Sequence, residues 1–382
     1  MRRTSSPHEF YRYPARFAPE LAKAAIEAFS APGDLVADYF VGGGTTLVEA
    51  RRAGRLGVGT DINSLSIFVS TVKTRLYSEP DLASVKRWAG DPDLAHGPVD
   101  ESLSDEALAH YFRNVGDDIE EQRTLLVGAV AALNEIDSPR ARDLARCVLL
   151  RTAQWGLDMR REVPSEPEFR AALVDNAARM ADTARASTRM YRQADRRVSA
   201  HGLTRTVVLE QALPGVAGHR QFRAHPAPRL VLTSPPYPGV YVNYHRWKVR
   251  GRKETPFPYY LAGQQDGNGL AYYTMHARSD RSLDTYFDRL RAAFQDIAHM
   301  CDDDTHVVQV VGFNNVSDQL TRYLDAMAAV GLREVKYEGL ATAPDGRLWR
   351  DVPGRRWWAR AGERSDLVTH TAQEVVLVHK KA

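Results

Sequence analysis

Apolar residues in the first 75 positions alternate between helical spacing and short continuous runs. Apolar side chains recur every three or four positions in residues 19–30, which predicts a helix. Residues 34–40 and 56–61 are short segments dominated by apolar side chains, typical of buried strands. A glycine-rich turn at 42–46 and a short helical segment separate these two strands. The order of strand, glycine turn, helix and strand predicts a βαβ unit and therefore a parallel sheet.

The apolar pattern after residue 75 predicts further strands of this sheet and one helical insertion before them. Residues 80–202 are rich in Ala, Arg, Glu and Leu at helical spacing, which predicts a helical insertion. Later apolar runs predict further strands at 206–209, 229–232, 307–311, 333–339 and 373–379. We therefore expect an α/β fold with helices on both faces of the sheet. The predicted domain parts are an N-terminal segment, the helical insertion and a C-terminal segment, at 1–79, 80–202 and 203–382.

The glycine turn and the acid after the second strand indicate a ligand site. Glycines between a strand and a helix let the backbone approach a ligand closely, beside the N–H groups of the helix start. The spacing from Asp38 through Gly42 to Gly44 differs from G-x-G-x-x-G, so it does not predict pyrophosphate binding. Asp61 stands where an acid accepts both ribose hydroxyls in such folds, although it could instead cap the next helix. Together these features favour an adenosine-containing ligand.

A second cluster of chemistry follows the apolar run at 229–232. Two consecutive prolines cannot continue a central strand, so the strand must end there and leave backbone carbonyls free. Ser234 adds a hydroxyl acceptor, and Tyr237 adds a flat ring. A planar group with an amine would fit, its N–H groups meeting Ser234 and the Pro235 carbonyl. The alternative is a proline turn with a buried tyrosine.

Composition narrows the class of protein without naming a ligand. The 382 residues are 26% charged and 43% hydrophobic, ordinary values for a globular protein, and the net charge of +3 indicates no partner. Cys147 and Cys301 are far apart, which predicts a reducing compartment and no metal site. No apolar run approaches the roughly 20 residues that span a bilayer, and the N-terminus does not resemble a signal peptide. We therefore expect a cytoplasmic protein without membrane contact.

Four segments resemble a known family, the S-adenosylmethionine-dependent DNA amino-methyltransferases. Residues 38–46 are similar to the family's D-P-F-x-G-x-G-T-T element, and residues 233–237 to its catalytic S/D/N-P-P-Y/F/W element. Residues 13–17 resemble the element before the cofactor loop, and residues 373–380 resemble the last strand. The resemblance covers roughly 1–75 and 203–382 and implies a Rossmann-like class I methyltransferase sheet. The helical insertion lies outside it.

The resemblance implies S-adenosyl-L-methionine as cofactor, no metal, and a defined set of contacts. Its cofactor-binding residues would be Tyr13, Phe17, Asp38, Phe40, Gly42, Gly44, Thr45, Asp61 and Gln211. Its catalytic residues would be Ser234, Pro235, Pro236 and Tyr237. The chain departs from the family pattern in places. Tyr39 replaces the usual proline, and Gln211 stands near the position where the family often has an acid that contacts the adenine.

The implied reaction is methyl transfer to the exocyclic N4 amine of a cytosine flipped out of duplex DNA, with Tyr237 stacked on the base. In this family serine at the first position of the four-residue element is associated with cytosine, and Asp or Asn with adenine N6. An N6-adenine DNA methyltransferase and an RNA amine methyltransferase are the alternatives. A binding module that keeps the fold without catalysis is a third. The implied partners are DNA and, as a companion activity, a restriction enzyme.

A basic and aromatic segment follows the catalytic element. Residues 241–260 hold five lysines and arginines and one acid, interleaved with aromatic rings. Cations neutralise phosphates and aromatic rings stack on extruded bases, so we expect nucleic-acid contacts here. The residues are Tyr244, Arg246, Trp247, Lys248, Arg250, Arg252 and Lys253. The alternative is a structural lid. The insertion at 80–202 is a candidate target-recognition region, with a scaffold or dimerisation role as its alternative.

Overall fold

The computed structural model describes most of the 382 residues with gaps between them. The described residues are 6–13, 18–94, 105–197, 203, 205–238, 247–266, 275, 283–313, 315–352 and 373–382. Contacts divide the chain into two units, each assembled from separate segments. The helical unit comprises Met1–Arg16, Ser64–Arg196 and Asn243–Gly267. The sheet unit comprises Phe17–Asn63, Arg197–Val242 and Asn268–Ala382.

Helices and strands alternate through the first 74 residues, and the described residues between β2 and β3 form helices and short 3-10 turns. The α-helices are α1 Pro19–Phe29, α2 Thr45–Arg52, α3 Ser64–Thr74, α4 Glu79–Ala89, α5 Asp105–Phe112, α6 Glu120–Ala131, α7 Pro139–Leu157, α8 Glu166–Arg196, α9 Arg220–Arg223, α10 Phe257–Ala262, α11 Leu283–Met300 and α12 Val316–Ala328. The strands are β1 Leu35–Asp38, β2 Leu56–Asp61, β3 Thr206–Glu210, β4 Leu230–Thr233, β5 His306–Val311, β6 Leu332–Glu334, β7 Leu348–Asp351 and β8 Gln373–Lys381. Short 3-10 turns lie at Pro7–Glu9, Asp117–Ile119, Ala132–Glu135 and Glu338–Leu340.

The sheet unit contains one mixed eight-stranded sheet. Its strand order is β3-β2-β1-β4-β5-β8-β6, and β7 pairs with β8 off this path. The strands from β3 to β5 are parallel, whereas β8 is antiparallel to β5, β6 and β7. The chain moves outward from β1 to β3 and then returns to β4 on the other side of β1. This reversal creates a switch point between β1 and β4, where open α/β sheets bind ligands at the carboxyl ends of their strands.

Alternating side chains cover the sheet with apolar contacts on both faces. Leu35 and Ala37 of β1 belong to the same buried cluster as Phe294 of α11. Val36, between them, instead joins a cluster with Ile26 of α1. Successive strand residues point to opposite faces, so α1 and α11 cover opposite faces of the sheet. The expected α/β Rossmann-like fold with helices on both faces is confirmed.

The helical unit has its own apolar core. Helices α4, α7 and α8 pack on one another, and α7 is buried along most of its length. Leu144 and Val148 of α7 and Leu173 of α8 lie in this core. Ser138 caps α7 and Pro139 opens it, which is the residue pair that helix starts favour. The residues between 80 and 202 that the structure describes are thus largely helical, while their role in target recognition stays a prediction.

Several element boundaries differ from the sequence prediction. The strand expected at 333–339 spans only Leu332–Glu334, and the strand expected at 373–379 continues to Lys381. Strand β7 and the short helix α9 have no counterpart in the sequence prediction. Both are brief, and β7 is paired only through β8, so its strand character depends on a distant partner. Local periodicity cannot report such a partner.

Other expectations concern membranes, metals and cysteines. Among the described helices, none is both long enough and apolar enough to cross a bilayer. Within the described residues there is no group of three or more His, Cys, Asp or Glu side chains arranged to hold a metal ion. Cys147 and Cys301 are buried free thiols.

We predict that Gly59→Ala destabilises the sheet unit. A Cβ at Gly59 would lie 2.4 Å from Val41 Cγ2 and 3.0 Å from the Asp38 carbonyl oxygen, so β2 or the glycine loop must shift. Overpacking of this kind costs about 1–3 kcal/mol in the free energy of unfolding. Urea unfolding measures it. Gly57→Ala on the same strand is the control, because its nearest contact is 3.3 Å; equal losses for the two variants would contradict the prediction.

Candidate active site

The glycine loop connects β1 to α2 at the switch point of the sheet. Gly42 and Gly44 have φ angles of 49° and 75°, a region that glycine enters without the steric cost of a Cβ. Gly44 is the N-cap of α2, its N–H donates to the Val41 carbonyl at 2.8 Å, and Thr45 begins the helix. The loop therefore brings backbone close to the helix start, as the spacing of its glycines predicts.

Asp61, at the end of β2, holds this loop in place. Its Oδ2 accepts a hydrogen bond from the Gly42 N–H at 2.8 Å, and its Oδ1 accepts one from the Asn63 N–H at 3.0 Å. The second contact orders the turn before α3, and because Asn63 precedes that helix it is not a bond to an N–H group of the helix itself. The first contact links the carboxylate directly to the glycine loop. Asp61 and the loop thus form one structural element, which separate positions in the sequence do not reveal.

Asp38 joins the glycine loop to the second predicted element. The buried carboxylate lies at the end of β1, and its Oδ1 accepts the Thr233 hydroxyl at 2.7 Å and the Phe40 N–H at 3.2 Å. Burial raises the pKa of Asp38 to about 6, although hydrogen bonds from Thr233, Thr46 and the Phe40 N–H oppose the shift. The contact between Asp38 and Thr233 places residues 195 positions apart side by side.

Gln211 and Phe40 extend the candidate cofactor site. The Gln211 N–H donates to the Asp61 carbonyl at 3.1 Å, and the Thr60 hydroxyl donates to the Gln211 carbonyl at 2.6 Å. These bonds place the residue after β3 next to the end of β2. Phe40 follows β1, half-buried, with its ring centroid 6.5 Å from that of Phe294. The sheet unit therefore gathers the predicted cofactor residues Asp38, Phe40, Gly42, Gly44, Thr45, Asp61 and Gln211 along neighbouring strand ends.

The remaining two predicted cofactor residues belong to the first segment of the chain. Tyr13 is buried in the helical unit, with its ring edge-on to Tyr11 at 6.4 Å between centroids. Phe17 lies outside the described residues. A cofactor role for either stays a prediction.

Ser234 presents its hydroxyl at the end of β4 with a defined polarity. Its Oγ lies 2.9 Å from the Val310 carbonyl oxygen and 3.3 Å from the Tyr237 hydroxyl oxygen. A serine hydroxyl has one proton, and a carbonyl can only accept, so the shorter contact directs that proton to Val310. The lone pairs of Ser234 then remain acceptors, which is the role expected toward an amine.

The two prolines after Ser234 have carbonyls with different environments. The Pro236 carbonyl accepts the Tyr286 hydroxyl at 2.6 Å. Burial raises the pKa of Tyr286 well above its usual range, so this phenol stays a donor. Among hydrogen bonds of the described residues, none goes to the Pro235 carbonyl. The segment is thus anchored at Pro236, and the carbonyl expected to meet an amine is the one at Pro235.

Tyr237 is held through its hydroxyl by a residue that the sequence analysis did not single out. The hydroxyl donates to Glu374 Oε1 at 2.7 Å, and Glu374 Oε2 accepts from Arg350 Nε and Nη2 at 2.9 and 2.7 Å. The Tyr237 ring is 8% exposed and packs in the core of the sheet unit. Stacking on a base therefore requires that a ring face be uncovered, and that role stays a prediction. In the sequence, the signal for this residue is that the acidic Glu374 directly precedes the apolar residues 375–378.

The basic and aromatic segment is described only from Trp247 onward, and Tyr244 and Arg246 lie outside the described residues. Trp247 and Thr255 exchange backbone hydrogen bonds of 3.2 and 2.9 Å, which close a short hairpin in the helical unit. The Trp247 indole is buried and donates to the Tyr11 hydroxyl at 3.2 Å. This contact agrees with the structural-lid alternative for that residue.

The cations of this hairpin differ in their partners. Arg250 Nη1 and Arg252 Nη2 each lie 2.7 Å from a different oxygen of Asp118. Lys248 Nζ is 3.9 Å from Glu254. Lys253 is exposed and makes no ion pair within the described part of the chain. The hairpin therefore carries more positive than negative charge, partly balanced by Asp118.

A family model and two known proteins each match less than a quarter of the chain, and the part matched by the family model includes the glycine loop. Residues 2–68 match a family model described as DNA methylase, of the N6 and N4 methyltransferase type. Type II methyltransferase M.MjaII from Methanocaldococcus jannaschii is 31% identical over 85 residues, which are 22% of this chain and 16% of that protein. Type II methyltransferase M.MvaI from Kocuria varians is 41% identical over 70 residues, 18% of this chain and 15% of that protein. The match thus spans about one sixth of the length of these relatives.

We predict that Asp38→Asn changes the pH dependence of stability. Because the pKa of Asp38 is raised from about 4 in the unfolded chain to about 6, the folded protein binds more protons between these values. This carboxyl therefore makes the protein less stable as pH rises from 4 to 6. Asparagine does not ionise and can still accept from Thr233. The variant should gain about 3 kcal/mol relative to the parent protein over this range. Urea unfolding at several pH values tests this; a pH-independent difference would contradict it.

Proposed function

Because the chain belongs to the family of S-adenosylmethionine-dependent DNA amino-methyltransferases, we propose that it transfers a methyl group from S-adenosylmethionine to an exocyclic base amine in DNA. The observation that carries this proposal is the hydrogen bond between Asp38 and Thr233. It brings the glycine loop beside the strand end that leads to Ser234. A cofactor site and an amine site can therefore share one cleft at the switch point between β1 and β4.

The charges at these strand ends fit a cationic cofactor. Burial raises the pKa of Asp38, and the nearby charge of Asp61 raises it further. Burial also raises the pKa of Glu210 at the end of β3, and Asp61 contributes in the same direction. The carboxylates thus repel one another, and a ligand with positive groups would relieve that repulsion. S-adenosylmethionine carries a sulfonium and an ammonium, and it supplies an activated methyl group when bound.

The binding contacts follow from the donors and acceptors of the loop. Gly42 and Gly44 would allow close approach of backbone to the cofactor, and Asp61 would accept ribose hydroxyls in addition to holding the loop. Gln211 is placed beside Asp61 and would meet the adenine edge. Asp38 would orient the glycine loop through its hydrogen bonds to the Thr233 hydroxyl and the Phe40 N–H.

The chemistry asked of the protein at the amine is positioning. Ser234 Oγ, with its proton directed to Val310, would accept one amine N–H, and the Pro235 carbonyl would accept the other. These two bonds would aim the nitrogen lone pair toward the methyl group and exclude water from the nitrogen. The methylated amine is briefly cationic and strongly acidic, so no strong general base is required. The target base would have to leave the duplex to reach this site.

We assign the base as cytosine, methylated at N4. The assignment rests on Ser234, because the family resemblance associates serine at this position with cytosine and Asp or Asn with adenine. Since both relatives are named as Type II methyltransferases, we further propose a role in restriction-modification. The protein would act on DNA in the cytoplasm.

The hairpin that begins at Trp247 would contact the DNA backbone. Exposed Lys253 could reach a phosphate directly, whereas Arg250 and Arg252 would exchange Asp118 for phosphate oxygens. Arginine pairs well with either anion, so this exchange conserves hydrogen bonds. Asp118 would then weaken binding to DNA by competing for the two arginines.

We predict that Ser234→Ala abolishes most methyl transfer while cofactor binding is retained. Loss of one oriented hydrogen bond in the transition state lowers a rate by about 100-fold or more. Transfer from labelled S-adenosylmethionine to unmethylated genomic DNA measures the rate, and calorimetry measures cofactor binding. Ser317→Ala, at an exposed position of α12, is the control and should transfer normally.

The same assay tests the assigned base and the class of substrate. Digestion of the product to nucleosides should place the label in N4-methylcytosine. Label found only in N6-methyladenine would replace cytosine by adenine, and transfer only to RNA in a parallel reaction would replace the DNA proposal. Unchanged behaviour of the Ser234→Ala variant would contradict its catalytic role and favour a binding module.

We predict that Lys253→Ala weakens binding to duplex DNA at all sequences alike. Removing one phosphate contact should lower the slope of log affinity against log salt by about 1. Fluorescence anisotropy over a range of salt concentrations measures this slope. Lys23→Ala on α1 removes the same charge from an exposed helix and should leave the slope unchanged. Equal effects of the two variants would contradict a phosphate contact at Lys253.

A further inference from the structure

We propose that Glu374 is a positioning residue for methyl transfer, because it holds the Tyr237 hydroxyl and thereby the segment from Ser234 to Tyr237. The inference rests on the proposed function. Glu374 is on β8, 137 positions from Tyr237, and it is 4% exposed. Its bond to the Tyr237 hydroxyl links it to this segment, so its effect would pass through the tyrosine.

The hydrogen bonds of the Tyr237 and Ser234 hydroxyls have defined directions. A carboxylate only accepts, so the Tyr237 hydroxyl must donate its proton to Glu374 Oε1. The Ser234 proton is directed to the Val310 carbonyl. The hydroxyl protons of Ser234 and Tyr237 are therefore both donated to acceptors on strands of the sheet. With both committed, the Ser234 oxygen faces an amine as an acceptor.

The anchors of Ser234 and Tyr237 come from adjacent strands. Val310 is on β5 and Glu374 is on β8, and the antiparallel pairing aligns Val310 with Val376. Tyr286 adds a third anchor by donating to the Pro236 carbonyl. A segment without its own secondary structure is thus held by rigid elements at three positions, Ser234, Pro236 and Tyr237. Such support keeps reacting groups within the narrow geometry that transfer requires.

Two arginine–glutamate pairs near β7 differ in geometry. Arg347 uses Nε and Nη2 to meet both oxygens of Glu334, at 2.7 and 2.8 Å, so this pair forms a closed fork. Arg350 directs Nε and Nη2 to a single oxygen of Glu374, which leaves Oε1 for Tyr237. Arg350 and Glu374 are directly opposite each other in the β7–β8 register. The two pairs have similar chemistry, but only one is connected to the catalytic segment.

Burial supports the same assignment. A buried carboxylate is costly unless charge and hydrogen bonds compensate it, and Arg350 and Tyr237 provide both. An ion pair that merely joined two strands at the surface would not need this burial. Glu374 directly precedes the apolar residues 375–378 of β8, and its bond to Tyr237 gives an acid a role at this buried position.

The test is a double-mutant cycle of Glu374→Gln and Tyr237→Phe in the full-length protein. Tyr237→Phe keeps the ring and the Arg350–Glu374 pair and should fold, while it removes the anchoring bond to Glu374 together with the 3.3 Å contact to Ser234 Oγ. Each single variant should lower kcat for transfer to unmethylated genomic DNA by about 10- to 100-fold. The KM for S-adenosylmethionine should change less than about twofold, because the cofactor loop is untouched. The double variant should be no slower than the slower single variant.

The matched control is Glu334→Gln, which breaks the closed pair with Arg347. It should lower the urea midpoint of unfolding while kcat stays at the parent value. Parent-level kcat in Tyr237→Phe, independent effects that multiply in the double variant, or an equal loss of kcat in Glu334→Gln would each overturn the positioning role. Failure of the proposed function is distinguishable, since the unmodified protein would then transfer no methyl group to DNA. In that case both proposals fall together.

Discussion

The hydrogen bond from the Thr233 hydroxyl to the buried Asp38 carboxylate is the contact on which the candidate site depends. It crosses from β4 to β1 at the switch point of the sheet. β1 leads into the glycine loop, and β4 leads into Ser234. Because the two strands are parallel neighbours, their carboxyl ends must meet at one edge, and this bond fixes how closely the two segments approach each other.

A carboxylate makes that contact in a place that is unfavourable for charge. Burial raises the pKa of Asp38, and the negative charge of Asp61 adds to the effect. Perturbed carboxyl groups of this kind are frequent at functional sites, because a site prepared for an ionic ligand carries uncompensated charge before the ligand binds. The Asp61 carboxylate accepts the Gly42 N–H, so the charge that disfavours ionisation of Asp38 also holds the glycine loop in place.

The segment from Ser234 to Tyr237 depends on the sheet in a different way. Pro235 and Pro236 prevent it from joining the strand ladder, so no backbone pattern of its own holds it. Side chains and carbonyls of β5, β8 and α11 hold it instead, at Val310, Glu374 and Tyr286. The rigidity that a transfer reaction needs is therefore supplied from outside the motif. A four-residue motif alone does not determine whether its hydroxyls donate or accept.

Short-range patterns in the sequence determined the parts of this protein that follow local rules. Helical spacing and short apolar runs predicted the βαβ unit, and the glycines at 42 and 44, whose φ angles are positive in the structure, marked a loop that lets backbone approach a ligand. The end of β4 before Ser234 followed from the two prolines. Only the tertiary structure decided the hydrogen-bond partners of Tyr237 and Trp247. It also decided that Asp118 pairs with both Arg250 and Arg252. These contacts join residues more than 100 positions apart. They arise because β8 inserts between β5 and β6 and because the helical unit is built from separated segments, and neither arrangement leaves a periodic signal in the chain.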